Sequence, residues 1–199
     1  NLGHNLPHPS LTDLGFVMAQ NEVIHNQAYE KLLDALGLQS VFEANLQEPV
    51  VADRVAYLRK YLDKVYGDQR KQYIYAIILF TLFVENVSLF SQFLIVMHFN
   101  RFKNVLKDTS QQVEYTRNEE QLHAQVGIKI IQTLRAEYPE LFDEELETRI
   151  AAEALEAFHA ESRVIDWTME GYETEGLSAE ILRSYIADRI DHSLDQIGF

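Results

Sequence analysis

The stretch VEYTRNEEQLHAQVGIKIIQTL, residues 113–134, decides the fold. In it Val113, Thr116, Glu120, His123, Gly127, Ile130 and Leu134 recur at steps of three and four, the period of a helix that buries one face. Glu120 and His123 stand in the middle of that stripe, where the pattern expects core residues. Their i, i+3 spacing places both side chains on one side of the helix, a turn apart.

The same irregularity recurs toward the N-terminus. Leu11, Leu14, Met18, Glu22, His25, Tyr29, Leu32 and Leu36 form a second stripe at helical spacing, and again a Glu and a His three residues apart replace leucines. Between the two lies the most apolar segment of the chain, Gln72 to Asn100. Glu85 is the only charge between Lys71 and Arg101 and is flanked by Leu82, Phe83, Val84, Leu89 and Phe90, so its burial is expected.

Eight glycines and four prolines punctuate long segments of helical period, and period-two strand runs are missing. The spacing predicts a first helix from Ser10, a good N-cap, to Gly37, and a second from near Pro49 to Gly67. A long apolar helix from Gln69 to Arg101 follows, then helices from Lys103 to Ala136 (stopped by Pro139), from Asp143 to Gly171, and from Ser178 to Ile197. The expected fold class is all-α, and 199 residues suit a single domain.

Composition narrows the chemistry. Lys and Arg number 17 against 31 Asp and Glu, a net charge of −14 that opposes nucleic-acid binding. The absence of cysteine excludes disulfides, thiolate metal sites, iron–sulfur clusters and a cysteine nucleophile, so any metal must be held by oxygen and imidazole nitrogen. Asn1 to Ser10 lacks the basic flank and apolar block of a signal peptide. Glu85 divides the apolar segment into pieces of about 13 and 15 uncharged residues, short of the ~20 of a membrane span. The expectation is a cytoplasmic protein with no membrane and no nucleic-acid partner.

A buried carboxylate without a partner costs several kcal/mol or takes up a proton. Three core-facing glutamates therefore call for a cation. Two Glu-x-x-His pairs and a glutamate from a third helix match the ligand pattern of di-iron or di-manganese carboxylate sites in ferritin-like bundles, and this donor set suits iron or manganese better than magnesium or copper alone. A third match, Glu156-x-x-His159, is turned about 100° from a stripe of Leu155, Phe158, Ser162, Ile165 and Met169 and reads as a solvated face. Of the other histidines, His4 and His8 fall in the terminal stretch, His192 in a charged surface run, and His98 at the end of the apolar helix. Tyr29 lies one helical turn, about 6 Å, beyond His25. It is either a packing residue or the oxidisable phenol of an oxygen-activating centre.

Glu22-Val23-Ile24-His25 with Tyr29, Glu85 in its apolar helix, and Asn118-Glu119-Glu120-Gln121-Leu122-His123 resemble the small, radical-generating subunit of class I ribonucleotide reductase. So do Pro9-Ser10-Leu11, Asp166-Trp167 and the terminal Gln196-Ile197-Gly198-Phe199, in that order, and the separations of 63 residues (Glu22 to Glu85) and 35 (Glu85 to Glu120). The resemblance implies a ferritin-like bundle with extra helices, forming a homodimer. It further implies a di-metal centre of iron, manganese or both, with ligands Glu22, His25, Glu85, Glu120 and His123, a radical on Tyr29, and Leu89 and Phe93 in the apolar pocket around it. The radical would pass to a large catalytic subunit that reduces ribonucleotides, and a flavoprotein would supply the oxidant.

The sequence departs from the family pattern in three places. The first carboxylate ligand of the family has no counterpart, since Asp13 is the only acid upstream of Glu22 and lies on the same helix. The usual Arg-Asp-Glu reads Asn118-Glu119-Glu120, which puts Glu119 in the place of the radical-transfer acid, with Arg117 one residue out of step. The transfer tryptophan and the docking tail have no counterpart either, and Trp167 is not a replacement. The expectation is a core fragment lacking the first-ligand helix and the C-terminal tail. The competing functions are a ferritin-like di-metal oxidase or monooxygenase acting on a small organic or fatty ligand, a ferritin-type store, and a metal-free helical interaction module.

Overall fold

The first helix starts one residue earlier than its predicted cap. His8 Nδ1 accepts the N–H of Ser10 at 3.2 Å and Pro9 takes the first helical position, so α1 runs Pro9–Leu36 in the computed structural model, which describes residues 5–199. His4 lies outside the described residues. Gly37, at φ 67°, ends α1 as predicted, with the Leu38 N–H donating to the Leu33 carbonyl at 2.9 Å. A short helix that the periodicity does not predict, α2 (Gln39–Asn45), follows.

The chain divides into two compact units, residues 1–46 and 47–199. In the first, the α1 stripe is only partly covered. His25 is the one buried residue of α1, Tyr29 is half-buried, and the Glu22 side chain is 51% exposed. Glu22 is therefore less covered than its place in the stripe predicts. The one other helix among the described residues of this unit, seven residues long, offers too little surface to close over a 28-residue helix.

The second unit opens with α3 (Pro49–Leu58), which stops well before Gly67. A 3-10 turn, Lys60–Leu62, follows, and beyond it Gln72 holds the chain: its Oε1 accepts the N–H groups of Val65 and Tyr66, each at 2.8 Å, and its Nε2 donates to the Asp63 carbonyl at 2.7 Å. These bonds hold residues 63–66 outside a helix. Asp68 caps α4 (Gln69–Leu79) through the N–H of Arg70 at 2.8 Å.

The long apolar helix predicted from Gln69 to Arg101 is broken. A π-helical turn, Phe80–Glu85, follows α4, a non-helical turn occupies residues 86–89, and α5 covers Phe90–Lys103. The Ser88 N–H donates to the Phe83 carbonyl five residues back, at 2.9 Å, and Leu89 adopts φ 71°. The apolar segment is mostly buried within the molecule. The remaining helices, α6 (Lys107–Glu137), α7 (Glu144–Thr168) and α8 (Ala179–Ile197), agree with expectation, α7 and α8 being capped by the side chains of Asp143 and Ser178. No β-strand occurs among the described residues beyond an isolated bridge between Thr174 and Leu177. The all-α expectation holds.

Helix α7 packs on α3 and α8, and α6 on α5 and the π turn, around a core that includes Ile78, Leu82, Ile131, Leu146, Ile150, Leu182 and Ile186. The buried face of α7 is only partly the predicted one: Ile165 and Met169 are buried as expected and Phe158 and Ser162 half-buried, but the face is shifted toward its neighbour. Leu155 is exposed, while Leu146, Ile150, Ala154, Ala157, Val164 and Ile165 are buried together with Glu153 and Glu161. Glu156 and His159 lie on the surface as expected.

Both buried glutamates are paired. Glu161 Oε1 accepts from Arg54 Nε at 2.9 Å and from the Tyr57 hydroxyl at 2.5 Å. Burial, then the Glu161 charge, drives the Tyr57 phenol well above its ordinary range, so it donates and stays neutral. Glu153 accepts from Lys60 Nζ at 2.7 Å and from the Tyr75 hydroxyl at 3.1 Å. These acids are compensated within the bundle by protein cations.

Candidate metal centre

Glu85 ends the π turn with its side chain buried, and Glu120 and His123 are buried one turn apart on α6. His123 Nδ1 lies 3.4 Å from Glu85 Oε2 and 3.6 Å from Glu120 Oε2, and the three residues bring ligand atoms within 4.8 Å of one another. Two buried carboxylates thus face a single imidazole, which carries at most one positive charge. The separations exceed ordinary hydrogen bonds. The shorter matches the edge between two donors that each sit about 2.1 Å from a common ion at the tetrahedral angle, about 3.4 Å, and the longer is slightly wider. Hard oxygens with imidazole nitrogen suit iron or manganese, so the donor set fits such an ion.

A close helix crossing builds this half of the site. A Cβ placed on Gly127, one turn beyond His123, would sit 2.2 Å from Thr81 Oγ1 in the π turn. Only glycine lets α6 approach the segment that carries Glu85. Alanine in an open helix gains up to about 1 kcal/mol over glycine, yet here overpacking costs about 1–3 kcal/mol. Gly127→Ala should therefore lower stability in urea unfolding and loosen metal binding. An unchanged or raised midpoint would show that the crossing is not tight.

The first unit carries the other pair. His25 Nδ1 is 3.6 Å from Glu22 Oε2, repeating the spacing seen within the pair on α6, and Tyr29 follows one turn later. Glu119 is half-buried beside Glu120. Its neighbour Arg117 donates to Asn118 Oδ1 at 2.9 Å and lies 3.8 Å from Glu114.

Phe93 is buried, with its ring edge-on to Phe90 at 5.5 Å between centroids. Leu89 is 40% exposed and non-helical, so the expectation that it lies in an apolar pocket one turn beyond Glu85 does not survive the helix break. The break itself was missed. Its sequence signal is the set of polar residues Asn86, Ser88 and Ser91 inside an apolar run, whose side chains compete with the helical backbone.

A family model described as "Ribonucleotide reductase, small chain" matches residues 1–199. The ribonucleoside-diphosphate reductase subunit beta of Halalkalibacterium halodurans is 25% identical over 195 residues, covering 95% of this chain and 55% of the relative. The protein of that name from Chlamydia pneumoniae is 24% identical over 191 residues, covering 90% of this chain and 54% of the relative. A crystal structure assigned to a class I ribonucleotide reductase from Bacillus halodurans superposes with a TM-score of 0.81 at 25% identity, covering 96% of this chain and 61% of that one. The chain spans about half the length of the curated relatives it matches.

Proposed function

The chain belongs to the ribonucleotide reductase small-chain family, and from that premise we propose that it is the radical-generating part of a ribonucleoside-diphosphate reductase. In this reading the chain is a ferritin-like di-metal carboxylate domain whose metal ligands are Glu22, His25, Glu85, Glu120 and His123, for two ions, iron, manganese or one of each. The observation that carries this reading is the buried grouping of Glu85, Glu120 and His123. When bound, the metal pair supplies the redox chemistry by which an oxygen species removes one electron from a nearby side chain.

The protein's own groups do the rest. The carboxylates neutralise the ions in a medium where unpaired charge is costly, and each Glu-x-x-His pair presents an oxygen and a nitrogen from one helical face. Tyr29, one turn beyond His25, gives up an electron from its ring and the phenolic proton, and so stores the oxidising equivalent. Glu119, beside the ligand Glu120, accepts or returns a proton as the radical moves toward the large catalytic subunit, where ribonucleotide is reduced for deoxyribonucleotide synthesis. The acting unit is a cytoplasmic homodimer, with a flavoprotein supplying the oxidant.

Mixing the intact protein that contains this chain, loaded with iron or manganese, with the large subunit should give reduction of a ribonucleoside diphosphate that neither component achieves alone. Oxidation of an organic ligand by the loaded protein without the large subunit would favour the oxidase instead.

A further inference from the structure

The turn that follows Glu85 is held from across the core. A break in a helix strands backbone carbonyls, and each needs a donor. Phe83 O accepts from the Ser88 N–H at 2.9 Å, Val84 O from the Ser88 hydroxyl at 2.6 Å, and Val87 O from the Phe90 N–H at 3.3 Å. Asn86 O is reached from α8: Arg189 Nε donates to it at 2.7 Å, and Arg189 Nη2 donates to Asn86 Oδ1 at 2.5 Å. The Asn86 amide donates in turn to Ser193 Oγ, and Ser193 Oγ donates to the Arg189 carbonyl at 2.6 Å.

One guanidinium fork thus grips both the main chain and the side chain of the residue next to Glu85. Its face stacks on Phe90, 3.5 Å from the ring centroid, just after the turn. Burial lowers the Arg189 pKa from its ordinary value, against the Tyr185 hydroxyl, which accepts from Nη1 at 3.4 Å and raises it. Desolvating a cation for an amide and a carbonyl is a costly way to dock a helix. Its geometric return is that the fork fixes the direction in which residue 86, and hence residue 85, leaves the π turn.

We propose that Arg189, with Asn86 and Ser193, is a positioning clamp that holds the π turn so that the Glu85 carboxylate is aimed at the metal. This rests on the metal reading of the Glu85 group. Outer-shell partners of metal ligands are worth about 10–100-fold in affinity.

The test is Mn(II) titration of metal-free protein, followed by the electron paramagnetic resonance of the free ion. Arg189→Lys keeps the charge and loses the fork, and should weaken Mn(II) binding about 10–100-fold. Ser193→Ala, a smaller change, should weaken it several-fold, on the order of the single hydrogen bond it removes. Arg183→Ala, which breaks the α8 ion pair with Asp166 on α7, should leave affinity unchanged. Wild-type affinity in folded Arg189→Lys, or in Ser193→Ala should Arg189→Lys not fold, would overturn the clamp even if the urea midpoint falls. A wild-type protein that takes up no Mn(II) or Fe(II) overturns the metal reading, and the clamp with it.

Discussion

Glu85→Gln should strip the protein of metal and at the same time stabilise its metal-free form. The amide keeps the shape of the side chain but removes the anionic oxygen, and metal affinity should fall by more than about 100-fold, beyond what outer-shell changes alone produce. Without an ion, Glu85 and Glu120 are two buried carboxylates on the same imidazole, 3.4 and 3.6 Å from His123 Nδ1. Removing one of two like charges that share a buried site should raise the stability of the metal-free protein by about 1 kcal/mol or more, because each carboxylate disfavours the ionised form of the other. Metal analysis and urea unfolding of the same samples check both signs. A Glu85→Gln protein that is less stable without metal would mark Glu85 as a structural acid, as Glu153 and Glu161 are.

Tyr29→Phe should leave the helices and the metals in place and, in the intact protein, abolish ribonucleotide reduction. The substitution deletes one hydroxyl from a half-buried side chain, so stability should change by about 1 kcal/mol or less. Phenylalanine has no phenolic proton to lose and is far harder to oxidise by one electron, so the radical signal should vanish along with turnover. Full turnover with the large subunit in Tyr29→Phe would remove the tyrosyl radical from the mechanism while leaving the metal site standing.

Much of this was legible in the sequence because the chemistry disturbs a regular pattern. Glu120 and His123 interrupt a clear 3–4 stripe on α6, and Glu85 is a lone charge in an apolar run; all three are buried. Other features were hidden for physical reasons. Around Ile150 to Ser162 the apolar residues of α7 form two adjacent stripes, and the bulkier Leu155 and Phe158 suggested the less buried one, while Ala154, Ala157 and Ala160 are buried. That choice concealed Glu153 and Glu161, whose partners Lys60 and Arg54 lie about a hundred residues away. The break after Glu85 has a local signal in Asn86, Ser88 and Ser91, but Arg189, which donates to the Asn86 carbonyl, lies 103 residues away, and no local pattern announces such a contact. The exposure of Glu22 was missed because periodicity identifies a face and not how completely it is covered.

The most direct test of the central claim is anomalous diffraction from crystals of the metal-loaded protein, collected on both sides of the iron and manganese absorption edges. The account predicts two peaks, with oxygens of Glu22, Glu85 and Glu120 and ring nitrogens of His25 and His123 at about 2.0–2.2 Å from one or other of them. A single peak bound elsewhere, or none beside His123 in protein saturated with metal, would contradict it.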